Sequence, residues 1–222
     1  MERKVVLCGK SCSGKDTLAL LLQEFGLRKP VSHTSRPKRD YEVDGKDYYF
    51  ITKEEFEKLT SEGFFQEYDW FNGWGYALSK EEFAKAQVFI QTPRGLEQII
   101  QQIPREQLLI IYIDIPAKLR KSRNDERHDT HDSIERRWVS DDIDFENMEQ
   151  WGSPWDLKVS IQDTNALTDF VKLIANSVNP FMKGLPKEVS EISIDFKFTD
   201  TELSGEAQVM ENWRNIKNAF VG

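Results

Sequence analysis

Gly9, Gly14 and Lys15 stand in the order G-x-x-x-x-G-K, a spacing suited to holding a phosphate group. Glycines let the backbone turn its N–H groups inward around an anion. A helix starting at such a loop adds its positive N-terminal end. Lys15 would then reach the outer phosphates of a nucleotide. The phosphate-binding residues on this reading are Gly9, Lys10, Ser11, Cys12, Ser13, Gly14, Lys15, Asp16 and Thr17. Position 16 is Asp and the hydroxyl follows at Thr17, so either could face a Mg²⁺ ion. Further cations gather at Arg28–Arg39 and Arg120–Arg127, and local basic clusters of this kind suit a small phosphorylated ligand.

Positioning these residues requires a strand before the loop and a helix after it. Val5, Val6, Leu7 and Cys8 make a short buried strand, and Leu18, Leu21, Leu22 and Phe25 recur at helical spacing up to a stop at Gly26. Thr52-Lys53-Glu54-Glu55 and Ser79-Lys80-Glu81-Glu82 are capping boxes that each open a helix. The first of these helices should end at Gly63. Residues 87–92 and 107–114 read as buried parallel strands, and Thr92-Pro93 as a helix cap with proline at the first helical position. Pro116 opens another helix. Trp155–Asp163 is a further strand, and Leu167, Phe170, Val171 and Ile174 mark a closing helix. Phe64, Phe65, Trp70, Phe71 and Trp74 read mainly as core. The fold class is therefore α/β, a P-loop NTPase-type parallel sheet flanked by helices with smaller insertions.

The chain has 222 residues, 39% hydrophobic and 31% charged, which fits a globular α/β domain rather than a disordered chain. A net charge of −8 argues against broad nucleic-acid binding. No apolar run is long enough to span a membrane and no leader peptide is visible. Two cysteines beside the loop do not form a disulfide framework, so a cytoplasmic setting is expected. His128 and His131 are spaced i, i+3 but lack a third ligand for a metal.

Residues 31–48, VSHTSRPKRDYEVDGKDY, resemble the guanylate kinases, whose segment runs S-x-T-T-R, P-R and G-E-V-[DN]-G-x-D-Y. The resemblance continues through FFQEYDWFNGWGYALS, similar to the family's G-x-F-[IL]-E-[WY]…Y-G-[TS]-S, and through the R-x3-R arrangement near residue 125. It covers about four-fifths of the chain. It implies an ATP- and Mg²⁺-dependent kinase for a nucleoside monophosphate. Ser32, Arg36, Arg39, Tyr48, Glu67, Tyr76 and Thr92 would meet the acceptor. Lys15, Arg36, Arg123, Arg127 and Arg137 would carry the transfer. In domain terms, residues 1–178 form the kinase-like unit, with an acceptor-binding insertion near 32–85 and a lid near 120–150.

The family usually places acids in the strand pattern L-[DE]-[IV]-D-x-Q-G, where this chain has Ile90 and Thr92, and a hydroxyl where it has Leu78. The acceptor expected is GMP or dGMP with relaxed base discrimination. The alternatives are another or modified nucleotide, a different phosphorylated acceptor, or a non-catalytic binding module. Residues 179–222 form an extension of illegible role and follow no family pattern. In it Ile192, Ile194, Phe196 and Phe198 alternate as a strand, and Val209, Trp213, Ile216 and Phe220 stripe a helix. Neither could stand alone in water, so both should pack on the kinase body or a partner.

Overall fold

A computed structural model of the chain describes residues 3–40, 42–71, 73–127, 134–150, 154–161, 174–186 and 190–194. Its main layer is a five-stranded sheet in the order β6-β1-β7-β8-β9. The strands are β1 (Lys4–Cys8), β6 (Val88–Gln91), β7 (Leu108–Asp114), β8 (Leu157–Ile161) and β9 (Ser190–Ile194). Every pairing among them is parallel. Val5, Val6 and Leu7 of β1 and Ile110 and Ile111 of β7 have no exposed surface, as strands covered on both faces require. From β1 the sheet continues to β6 on one side and to β7 on the other. Such a reversal opens a crevice at the strands' carboxyl ends, and the glycine loop leaves β1 at that point.

One face of this sheet is packed by α1 (Lys15–Glu24), which buries Leu18, Ala19, Leu21 and Leu22. The other is packed by α4 (Pro93–Gln102) and α6 (Ile134–Gln150), through Leu96, Ile99, Phe145 and Met148. Between β7 and α6 lies α5 (Ala117–Arg127).

A second sheet of four strands has the order β3-β2-β5-β4, where β2 is Ser32–Thr34, β3 Tyr48–Phe50, β4 Phe65–Phe71 and β5 Trp74–Ser79. Its back is covered by α2 (Lys53–Ser61), whose fully buried Phe56 packs on Phe65 and Ala77. Gly75 is obligatory here, since a Cβ at that position would lie 2.5 Å from the Phe56 ring. The caps are as expected. Thr52 accepts from the Glu55 N–H, Ser79 from the Glu82 N–H opening α3 (Lys80–Lys85), and Thr92 from the Gly95 N–H.

One expectation needs correction. Phe64 and Trp70 are 41% and 40% exposed rather than core, because they lie at or beside β4, the edge strand of the small sheet. Phe65, the first residue of β4, is the buried one. The C-terminal strand is found at Ser190–Ile194, where β9 extends the main sheet beside β8. Ahead of it, a helical turn over Ile174–Val178 runs into α7 (Asn179–Met182). Phe181 of α7 is buried, and Arg3 holds the segment by donating to the carbonyls of Phe181, Gly184 and Leu185. His128, His131, the closing-helix positions Leu167, Phe170 and Val171, and the tail positions Phe196, Phe198, Val209, Trp213, Ile216 and Phe220 lie outside the described residues.

Candidate functional site: a phosphate loop facing a substrate-sized sheet

The glycine loop joins the end of β1 to α1. Gly9 is required by close approach, because a Cβ there would stand 2.6 Å from the Ile113 carbonyl oxygen. Gly14 takes φ 91° at the N-cap of α1, a left-handed setting glycine tolerates. Cys12 also takes a positive φ, 61°. The Lys15 ammonium donates to the carbonyls of Gly9 at 2.7 Å and Lys10 at 2.9 Å. Burial depresses its pKa, and the Ser13 hydroxyl at 3.5 Å is its third oxygen neighbour. Asp16 lies on the first turn of α1, 3.6 Å from the Lys29 ammonium. Thr17 follows on the same turn.

One loop N–H already has an anionic partner. The Asp141 carboxylate on α6 accepts from the Ser11 N–H at 2.7 Å and from the Ser11 hydroxyl at 3.1 Å. Asp142 pairs with Lys10 at 2.8 Å. Arg120 donates to the Ile115 carbonyl and lies 3.5 Å from Asp141, with its guanidinium 5.0 Å from the Trp138 ring centre. Arg123 reaches the Cys12 carbonyl at 3.4 Å, beside Gly14. The structure thus brings Arg123 to the loop. Arg127 and Arg137 fall on α5 and α6, and their side chains lie outside the described residues. Arg120 belongs to the basic cluster Arg120–Arg127, whereas nothing local in the sequence signals the part of Asp141, whose partner lies 130 residues away.

The second half of the site is the front of the small sheet. Tyr48 pairs with Ser32, and Glu67 pairs with Leu78. His33 pairs with Ala77, and one step along that antiparallel register Ser32 comes opposite Leu78. Tyr48, Ser32, Leu78 and Glu67 therefore form one line across all four strands. Two residues along, on the same face, the line contains Phe50, Thr34, Tyr76 and Asp69. The rings of Tyr48 and Tyr76 are 6.2 Å apart, which puts both on the same face. Burial pushes the Tyr48 phenol up to about 12, with the Asp16 charge adding to the effect. It is a neutral hydroxyl at physiological pH, and it feels the first turn of α1.

Arg36 sits at the edge of this face, with its guanidinium 5.6 Å from the Tyr48 ring centre. It forks onto Glu42 at 2.6 and 3.0 Å. The Arg39 N–H donates to the same carboxylate at 2.8 Å. Burial opposes both charges, but the mutual hydrogen bonds outweigh it. They raise Arg36 and lower Glu42 from their ordinary values. Glu42 falls within the G-E-V-[DN]-G signature but was not singled out from sequence. Arg28, in the same basic cluster, is held instead by Glu82 at 2.6 Å.

Glu67 lies at the far end of the line. Its Oε1 accepts from the Gln91 amide at 2.7 Å, while its Oε2 is buried with no hydrogen-bond partner. Burial raises the carboxyl above the ordinary glutamate range, against the lowering effect of Gln91. Thr92, next to Gln91, uses its hydroxyl to cap α4.

The sequence matches the family model described as guanylate kinase over residues 1–151. The guanylate kinase of Homo sapiens is 34% identical over 171 residues, which cover 68% of this chain and 81% of that protein. That of Thiobacillus denitrificans is 29% identical over 181 residues, 77% of this chain and 87% of the relative. The Symbiobacterium thermophilum guanylate kinase is 52% identical over 66 residues, covering 29% of this chain and 31% of that protein. In fold, the chain is similar to the crystal structure of guanylate kinase from Anaplasma phagocytophilum. The TM-score is 0.56 at 23% identity, covering 79% of this chain and 85% of that one.

Proposed function

The chain belongs to the guanylate kinase family and is a nucleoside monophosphate kinase, and we propose that it transfers the γ-phosphoryl group of ATP to the phosphate of GMP or dGMP. The observation that carries the acceptor is the buried Glu67 Oε2, an acceptor without a donor, in line with the Ser32 hydroxyl. Guanine presents ring N–H and amino donors next to a carbonyl oxygen. The two protein groups offer the complementary acceptor and donor.

The donor phosphates would lie on the glycine loop, with Lys15 supplying charge and the loop N–H groups direction. Asp16 and Thr17 offer hard oxygen ligands on the first turn of α1, a donor set that fits Mg²⁺. When bound, that ion would neutralise charge on the phosphates. The acceptor phosphate would sit by Arg36, Arg39, Tyr48 and Tyr76, with neutral Tyr48 donating a hydrogen bond without carrying repulsive charge. No general base is needed, because the attacking phosphate oxygen is already anionic. Arg123 and Arg127 on α5, with Arg137 on α6, would stabilise charge on the moving phosphoryl group and help exclude water.

Release of ADP from Mg²⁺-ATP, assayed across GMP, dGMP, IMP, dUMP and dTMP, tests this reading. Turnover that requires both a monophosphate and Mg²⁺, with GMP or dGMP among the accepted substrates, is expected. ADP release no faster than with ATP alone would end it.

A further inference from the structure

Gln91 is the last residue of β6, and its amide crosses to β4 to reach Glu67, 24 residues away in sequence. A carboxylate only accepts, so the amide nitrogen must face it. The amide oxygen turns toward α4. There a Cβ on Gly95 would lie 2.1 Å from Gln91 Oε1, so the absence of a side chain at 95 is what admits the amide. One Glu67 oxygen is thereby committed within the protein, and the other is buried and unpartnered.

We propose that Gln91 is a specificity-determining residue, which by occupying Glu67 Oε1 turns a two-pronged reader of guanine into a one-pronged reader of a ring N–H. The inference rests on the acceptor site proposed above. A carboxylate with both oxygens available would take the ring N–H and the exocyclic amino group of guanine together. With Gln91 already donating to one oxygen, the ring N–H keeps the free oxygen, while the amino group must share an oxygen that has a donor and gains less from it. The second N–H of the Gln91 amide adds a donor beside that acceptor, which suits a base carrying an oxo group there. The substrate class is therefore widened to 6-oxopurines lacking the 2-amino group, and to pyrimidines whose ring N–H lies between two oxo groups. Apolar Leu78, at the centre of the line and only 2% exposed, supplies no polar group to reverse this.

The test compares kcat/KM for GMP and IMP, which differ only in the 2-amino group. In the unmodified protein the ratio should lie within about tenfold. Gln91→Met keeps the side-chain length but removes the amide, freeing both Glu67 oxygens. The ratio should then widen in favour of GMP by about tenfold or more, the value of one hydrogen bond to a charged group. Gly95→Ala, which displaces the amide without altering residue 91, should move the ratio the same way and serves if the Met variant folds poorly. Gln91→Met should also shift the acid limb of the GMP pH profile to higher pH, because Gln91 helps keep Glu67 ionised. A ratio unchanged within about twofold in both variants, with GMP still turned over, overturns the role of Gln91 alone. Absence of turnover with every monophosphate overturns both this role and the proposed activity.

Discussion

Arg36 and Glu42 are 8% and 7% exposed, and neither charge would be tolerable there alone. Together they fix the guanidinium beside Tyr48 and Tyr76. The pair also makes stability depend on pH in a defined direction. Glu42 is held below its ordinary value of 4.5, so its contribution is present above that pH and is lost as pH falls through the folded-state value. Glu42→Gln should cost about 3 kcal/mol at pH 7.5, the typical cost of breaking a buried ion pair. The difference in Tm from the unmodified protein should shrink as melts are taken toward pH 4. A gap that stays constant over that range would mean the carboxylate charge is not what matters. The same variant should raise KM for the acceptor, since Arg36 and Arg39 lose their common anchor.

Helix α6 does more than cover the sheet, because its Asp141 occupies the Ser11 N–H of the phosphate loop. An ATP phosphate and a carboxylate cannot both take that hydrogen. Asp141→Ala should therefore tighten ATP binding in the absence of acceptor, by about tenfold for one charge-assisted hydrogen bond. Titration calorimetry reads this directly, and weaker binding would show that Asp141 instead supports the loop. At the other edge of the body, Phe181 of α7 is 1% exposed and packs into the cluster that includes Val5, Leu22 and Val178. Phe181→Ala should lower stability by about 3–5 kcal/mol, measured by denaturant unfolding. A loss under about 1 kcal/mol would show that this segment is not part of the core.

At the scale of the whole molecule, the large sheet was legible and the small one was not. Val5–Cys8 and Leu108–Asp114 are continuous apolar runs, and a run of that kind has few places to go except the middle of a parallel sheet. The caps at Thr52, Ser79 and Thr92 are local and were readable for the same reason. Strands β2 and β3 have three residues each, too short for a period to show. The line from Tyr48 to Glu67 exists only once these two and the longer β4 and β5 are in register. Arg123 reaches the Cys12 carbonyl of the loop, whereas Glu42, Asp141 and Gln91 are held by partners that periodicity cannot reveal. The two sheets meet in one reaction on this reading, and the path of the phosphorus atom reports it. With ATP labelled in its γ-phosphate, label should appear as the β-phosphate of GDP when GMP is supplied. Lys15→Ala, in a protein that still melts cooperatively, should abolish the transfer. Label released only as inorganic phosphate, or transfer to GMP that survives in Lys15→Ala, would contradict this reading.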